Sequence, residues 1–185
     1  MTENLNIKNN VLICGHIDLS IDSFNKYYEP AIKSLLLSHH TFFVGGAKGV
    51  DTFAQNYLST TNNNVIVCDK GDQNNNLYPF KYQHKNGFQS YIDRDGYMTD
   101  NIGHIIVFLR KHYMSLGSGS FSNVVRLMTD RSTADKFMKH ARDSKYDETM
   151  QLNEYYDKVI DTFEETTSDI KSKLKQETRN ILIIE

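Results

Sequence analysis

A chain of 185 residues, with 21 Lys and Arg against 23 Asp and Glu and a formal charge of −2, fits one domain of ordinary size with an appendage. The near-neutral charge gives no basic footprint, which disfavours nucleic acid as a partner. No stretch approaches the roughly 18 apolar residues of a membrane span, and the polar, Asn-rich residues 1–10 lack the basic-then-apolar order of a secretory signal, so a soluble cytoplasmic protein is expected.

Residues 11–14, Val-Leu-Ile-Cys, form a fully apolar run closed by Gly15, as a strand buried on both faces requires. His16 and Asp18 follow where that strand ends, the edge at which open α/β sheets gather ligands. Each has an ordinary alternative: loop packing for His16, and helix capping by Asp18, Ser20 or Asp22. From 20 to 40 the apolar positions Phe24, Tyr27, Tyr28, Ala31, Ile32, Leu35 and Leu36 recur at spacings of three and four, predicting one helix. Pro30 inside it demands either a helix start near Glu29 or a kink. His39 and His40 read as exposed helix-end residues.

Residues 41–44, Thr-Phe-Phe-Val, predict a second buried strand, and Gly45, Gly46 and Gly49 a turn without Cβ atoms before a helix over 50–58. Backbone N–H groups in such a turn, together with the helix N-terminus, form a pocket for an anion. A structural tight turn is the competing reading. Lys48 would neutralise a bound anion, or stand solvated. Asp51 in the first helical turn would repel a phosphate, so ribose hydroxyls or a loop amide suit it better.

Residues 65–68, Val-Ile-Val-Cys, predict a third strand, opening into a polar loop over 69–87 whose Tyr78, Pro79, Phe80 and Tyr82 either cover a base or pack the loop down. A helix follows over 88–101. Arg94 within it offers a guanidinium fork to a phosphate or carboxylate, or pairs with Asp93 or Asp95. A fourth strand is predicted over 104–109, then a second glycine-rich turn, Gly117-Ser-Gly-Ser120, and a helix over 121–128. Two glycine turns in one chain favour a phosphate-bearing ligand more than either alone.

Both cysteines, Cys14 and Cys68, close apolar runs with no disulfide framework, so two buried reduced thiols are expected; no Cys/His metal motif is present and no cofactor is implied. Residues 131–185 contain no glycine or proline and are rich in both charges, predicting helices. Leu152, Tyr156, Val159, Phe163, Ile170 and Leu174 space one amphipathic helix over 148–176, with one polar step at Thr166 or Thr167. Residues 181–184 predict a terminal strand or an apolar plug. The expected architecture is an α/β, Rossmann-like open parallel sheet flanked by helices over 1–130, with a C-terminal helical extension over 131–185 that packs on the domain or on a partner copy.

On these motifs the chain resembles the SLOG superfamily, the Rossmann-like group of the Lonely Guy phosphoribohydrolases and the DNA-processing protein DprA, over about residues 9–130. Gly45-Gly-Ala-Lys-Gly-Val-Asp51 is similar to the glycine-glycine-alanine-x-glycine-x-aspartate motif of its YspA-like branch. His16 stands where many relatives carry serine or arginine. The resemblance implies a nucleotide site built from Gly15, His16, Gly45, Gly46, Lys48, Gly49, Asp51, Arg94, Gly117, Ser118, Gly119, Ser120 and Asn123. Lonely Guy enzymes carry a second turn of the form proline-glycine-glycine-x-glycine-threonine-x-x-glutamate. Laying Gly119 and Ser120 on its glycine and threonine sets Asn123 at the glutamate, and Arg94 falls on the family arginine. Asparagine supplies neither proton nor charge, which shifts the expectation from hydrolysis towards binding.

Three functions follow as expectations. The first is a sensor or sequestering protein for a nucleotide or an ADP-ribose-like compound. The second is a nucleotide N-glycosidase in which Arg94 and Asp51 carry the catalysis. The third is a DprA-like nucleic-acid or assembly module. A homodimer is expected, since relatives pair through sheet-flanking helices.

Overall fold

The computed structural model describes residues 9–183. Its chain forms two compact units that divide between Val107 and Phe108. The division cuts the apolar run 104–109 and falls ahead of the composition change near residue 130.

The first unit is an α/β fold of Rossmann-like design. Strands β1 (Asn10–Cys14), β2 (Thr41–Gly45), β3 (Asn64–Lys70), β4 (Gln83–Phe88) and β5 (His104–Val107) form one sheet in the order β4-β3-β2-β1-β5. Every pairing is parallel. The chain steps outward from β1 to β4 and returns to lay β5 on the other side of β1, which makes the β1/β5 boundary the topological switch point. Strand β1 is buried at all five positions and β2 at four, because helices cover the sheet: α3 (Val50–Ser59) packs on β1 and β2, and α4 (Tyr91–Asp100) on β3 and β4. Val11, Leu12, Ile13, Phe42, Phe43 and Val44 are fully buried and form the floor of the core.

Strand β4 corrects the reading of 69–87 as one loop. Its sequence, Gln-His-Lys-Asn-Gly-Phe, is exposed or half-buried throughout, so neither face carries an apolar alternation. Pairing with β3 supplies its order instead, Val67 lying opposite His84 and Cys68 opposite Lys85. Polar residues, a lysine and a glycine also suit an edge strand that must not recruit further strands. The remaining connection is pinned to α3. Leu77 N–H donates to Gln55 Oε1 at 2.9 Å, Tyr82 Oη–H to Gln55 O at 2.7 Å, and Tyr78 Oη–H to Asn56 Oδ1 at 2.9 Å. Of the two roles weighed for Tyr78 and Tyr82, these bonds show packing of the loop.

Pro30 lies in the first turn of a helical segment that starts at Glu29, as one of the two alternatives required, and a π-helical turn leads into it. Helix α1 (Ile21–Ser23), capped by Ser20, runs into a π-helical turn at Phe24–Tyr28 and then α2 (Glu29–Leu35). Glu29 N–H bonds to Phe24 O, five residues back, and this widened turn accommodates a proline that has no N–H to give. His39 is exposed with φ 51°, but His40 is buried, its Nδ1 2.7 Å from Asn9 O, against the expectation that both lie in solvent.

The second unit begins with β6 (Leu109–Arg110) and a 3-10 turn at Tyr113–Gly117. Helices α5 (Gly119–Met128), α6 (Arg131–Asp143), α7 (Leu152–Thr162) and α8 (Ser168–Ile181) follow, then β7 (Leu182–Ile183), which pairs with β6 in parallel. The single helix expected over 148–176 is thus two helices. The break falls at the Thr166–Thr167 polar step, where Thr167 Oγ1 accepts from Ile170 N–H and starts α8. Of the terminal run 181–184, Leu182 and Ile183 form the strand, and Ile184 lies outside the described residues, as do residues 1–8. No helix among the described residues is long and apolar enough to cross a membrane.

Candidate functional site

The turn between β2 and α3 is built as strand, glycines and helix, and the chain itself fills the space its glycines open. A Cβ on Gly45 would lie 2.3 Å from Asp51 Oδ2, and one on Gly46 would lie 2.0 Å from Asp69 Oδ1. The glycines admit two carboxylates of the same chain. Asp51 turns back from the first turn of α3, and its Oδ2 accepts the Ala47 N–H at 3.1 Å. Of its two expected roles the structure shows the loop amide. Thr52 Oγ1–H donates to Ala47 O at 3.0 Å and closes the turn. Gly49 (φ 70°) presses against the backbone of His16 and Ile17, and Val50 N–H reaches His16 O at 3.4 Å. His16, half-buried, meets the turn through its carbonyl, whereas Lys48 is exposed. Gly15 gives room to Tyr28, whose hydroxyl donates to Cys14 O at 3.0 Å.

Helix α4 delivers Arg94 to the same edge. Ser90 caps the helix, and its hydroxyl donates to Asp93 at 2.8 Å. Asp95 is therefore the arginine's partner: Nε and Nη2 donate to its Oδ1 at 2.9 and 2.6 Å. Arg94 Cζ also lies 5.0 Å from the Tyr91 ring centroid, and Lys70 Nζ lies 5.1 Å from the same ring. Nη1 is on the Gly45 side, 3.4 Å from where a Gly45 Cβ would stand. Asp51, Arg94 and Asp95 thus form one buried cluster at the carboxyl end of β2, one strand from the switch point.

The charge balance of this cluster decides its chemistry. Burial pushes the Asp51 carboxyl up from 3.8 to about 6; Arg94 and the Ala47 N–H pull it down, and Asp95 and Asp69 add to the rise. Asp51 therefore exchanges its proton near neutral pH, held beside a permanent cation. Burial lifts the Cys68 thiol to about 12, so this free cysteine is inert at physiological pH.

Asp69, at the end of β3, was not singled out by sequence, although the rule that drew attention to His16 at the end of β1 applies equally to it. It is 1 % exposed and accepts from Asn75 N–H at 2.8 Å and from Asn75 Nδ2 at 3.0 Å. His84 Nε2 lies 3.0 Å from its Oδ2. Nothing in the sequence signals His84, because its partner comes from the pairing of β4 with β3.

The remaining expected site residues lie in the second unit. Ser118 caps α5, its Oγ accepting from Phe121 N–H at 3.3 Å and donating to Ser115 O at 2.6 Å. A Cβ on Gly117 would meet Arg142 Cγ at 3.0 Å. Gly119 is exposed and Ser120 buried. Asn123 is buried and accepts from Arg126 Nη1 at 3.2 Å, while Arg126 Nη2 pairs with Asp135 at 2.9 Å. Asn123 serves there as a neutral acceptor beside an arginine. Among the described residues no group of three or more His, Cys, Asp or Glu is arranged to hold a metal ion.

No family model, curated protein or solved structure matches the chain. Fold and site together define an α/β protein whose parallel sheet carries a buried Asp–Arg–Asp cluster at its carboxyl edge.

Asp51→Asn tests the electrostatics. A carboxyl raised from 3.8 to about 6 by folding contributes stability that is complete below 3.8 and lost as pH rises through 6, a loss of about 3 kcal/mol at neutral pH. Asparagine keeps an acceptor for Ala47 N–H and removes the titration. The variant is expected to match the wild type near pH 4 and to exceed it by up to about 3 kcal/mol at pH 7. Urea denaturation across that range measures the difference; a difference independent of pH contradicts the account.

Proposed function

We propose that the first unit binds a nucleotide or nucleotide-derived molecule, a nucleoside phosphate or ADP-ribose-like compound, and acts as a sensor or sequestering protein of the cytoplasm. The observation that carries this reading is the buried Asp51–Arg94–Asp95 cluster beneath a strand–glycine–helix turn at the carboxyl edge of a parallel sheet. Ligands of open α/β sheets collect at that edge. The turn's Ala47 N–H already bonds a carboxylate, so the cluster suits sugar hydroxyls, which donate to Asp51 and Asp95 and accept from Arg94, better than it suits phosphate. Lys70, whose Nζ lies over the same Tyr91 ring as Arg94, supplies a cation beside the cluster for a ligand's phosphate.

Thermal shift against a panel of nucleosides, nucleoside mono-, di- and triphosphates and ADP-ribose tests the reading. A ligand at 100 times its Kd adds about 2.7 kcal/mol of stability. Arg94→Lys keeps the charge but loses the planar fork, and is expected to weaken binding at least tenfold, the worth of about 1.4 kcal/mol. No shift with any compound, or shifts unaltered by Arg94→Lys, would remove the proposal.

One observation favours a second reading, an N-glycosidase using the same cluster. A carboxyl that titrates near 6 beside an arginine matches the requirement for a group that donates or accepts a proton at neutral pH. Chromatography for free base after incubation with the same panel separates the two. Release that disappears in Asp51→Asn identifies the enzyme, and binding without release identifies the sensor.

A further inference from the structure

A second recess lies in the first unit away from the carboxyl-edge cluster. It encloses about 290 Å³ and is lined by Thr41, Asn64, Ile66, Gln83, Lys85 and Tyr97, with His84 completing the wall. Register explains how these residues meet. Phe43, Ile66 and Gln83 lie side by side across β2, β3 and β4, and residues two apart on a strand share its face. Thr41, Asn64 and Lys85 therefore stand on the same face as Phe43, which meets Tyr97 of α4 at a centroid distance of 6.4 Å. Phe88 holds the Tyr97 ring from a further side at 5.2 Å. The wall is fixed by packing and does not depend on a ligand.

The chemistry of this lining is one-sided. No lining residue carries a carboxylate. Lys85 is exposed, has no ion-pair partner among the described residues, and sets its Nζ 5.6 Å from the Tyr97 centroid. His84 adds no free charge, since its Nε2 is tied to Asp69. Asn64, Gln83 and Thr41 supply neutral donors, and Ile66, 7 % exposed, supplies an apolar floor.

We propose that this recess binds a small monocarboxylate with an apolar body. One ammonium matches one negative charge, and the side-chain amides and hydroxyl can complete the carboxylate's hydrogen bonds. A phosphate dianion would bring a charge that nothing in the lining offsets. The ammonium of an amino acid would find no acceptor of opposite sign. The volume lies at the lower limit of pockets that hold drug-sized molecules, which restricts the ligand to a compact organic acid.

Sodium benzoate serves as the probe, titrated into the ¹⁵N-labelled full-length protein at constant ionic strength, with inorganic phosphate as a parallel titration. Expected are saturable amide shifts centred on Thr41, Asn64, Gln83 and Lys85 with benzoate and weaker ones with phosphate. Lys85→Gln, a change on an exposed edge strand, is expected to weaken benzoate at least tenfold, as loss of a charge-assisted bond requires. Arg94→Lys should leave the titration unchanged, which keeps this site distinct from the nucleotide site. The proposal is overturned by the absence of saturation up to about 20 mM, an affinity weaker than about 2.3 kcal/mol of binding. It is equally overturned by benzoate binding that survives Lys85→Gln, by loss of binding in Arg94→Lys, or by phosphate binding more tightly than benzoate.

Discussion

Arg94→Ala is expected to destabilise the protein by about 3–5 kcal/mol, the usual cost of breaking a buried pair by removing one partner. Both side chains of the Arg94–Asp95 pair are more than four-fifths buried, and Asp51 faces the same guanidinium. Truncation leaves two neighbouring carboxylates in a desolvated site without their cation. Their escape is protonation, so the cost depends on pH. With Arg94 gone, the pull that holds the Asp51 carboxyl down is lost, and its value rises further above 3.8. Stability from a raised carboxyl is complete at low pH and lost as pH rises, so the deficit of Arg94→Ala should be smaller at pH 5 than at pH 8. Denaturant titrations at the two pH values measure this. A deficit below about 1 kcal/mol at pH 8, within the range of exposed ion pairs, would show that solvent screens the cluster. Addition of Asp51→Asn should recover part of the loss at pH 8, because one of the two stranded charges is then absent. Recovery marks coupling between contacting residues rather than independent effects.

The parts of this fold that sequence exposes are those whose own residues carry the signal. Strands β1, β2 and β3 are apolar runs because helices bury both faces of a parallel sheet, and each was legible from its own composition. Strand β4 has no such run, since an edge strand takes its order from a neighbour and its polarity from solvent. The helix around Pro30 was legible in its stripe, but the π-helical turn that absorbs the proline is a backbone adjustment with no compositional mark. At the candidate site the glycine turn and Arg94 were legible as chemistry-bearing features. What occupies the turn was legible only in part: Asp51 was weighed for a loop amide and folds back to bond one, whereas Asp69 arrives from the next strand. Asp51 reaches the turn locally, four residues from Ala47, and Asp69 reaches it through tertiary packing. Glycine at 45 and 46 therefore signalled close approach correctly, while the approaching group belonged to the chain itself.

Gly49→Ala is the sharpest test of how the turn is held. Two separate penalties meet at this residue. Its φ of 70° with ψ of −125° is a conformation that L side chains rarely adopt, costing about 1–3 kcal/mol. Its added Cβ would also stand 2.5 Å from His16 O and 2.6 Å from both Ile17 C and Ile17 O. These are backbone atoms at the exit of β1, and they cannot rotate aside as a side chain can. Relief requires moving the β1 exit loop away from the start of α3, which breaks the Val50 N–H to His16 O bond and costs a further 1–3 kcal/mol, roughly the price of overpacking. The expected total, about 2–6 kcal/mol, is a large part of the 5–15 kcal/mol that holds a typical domain folded. Gly71 supplies the control. It also has positive φ, 59°, but no atom lies within 4 Å of its would-be Cβ, so Gly71→Ala suffers backbone strain alone and should cost about 1–2 kcal/mol. Urea denaturation of the two variants side by side separates clash from strain. Equal losses would mean that the β1 exit gives way freely, and the packing of Gly49 against His16 and Ile17 would then not be what fixes the turn above Asp51.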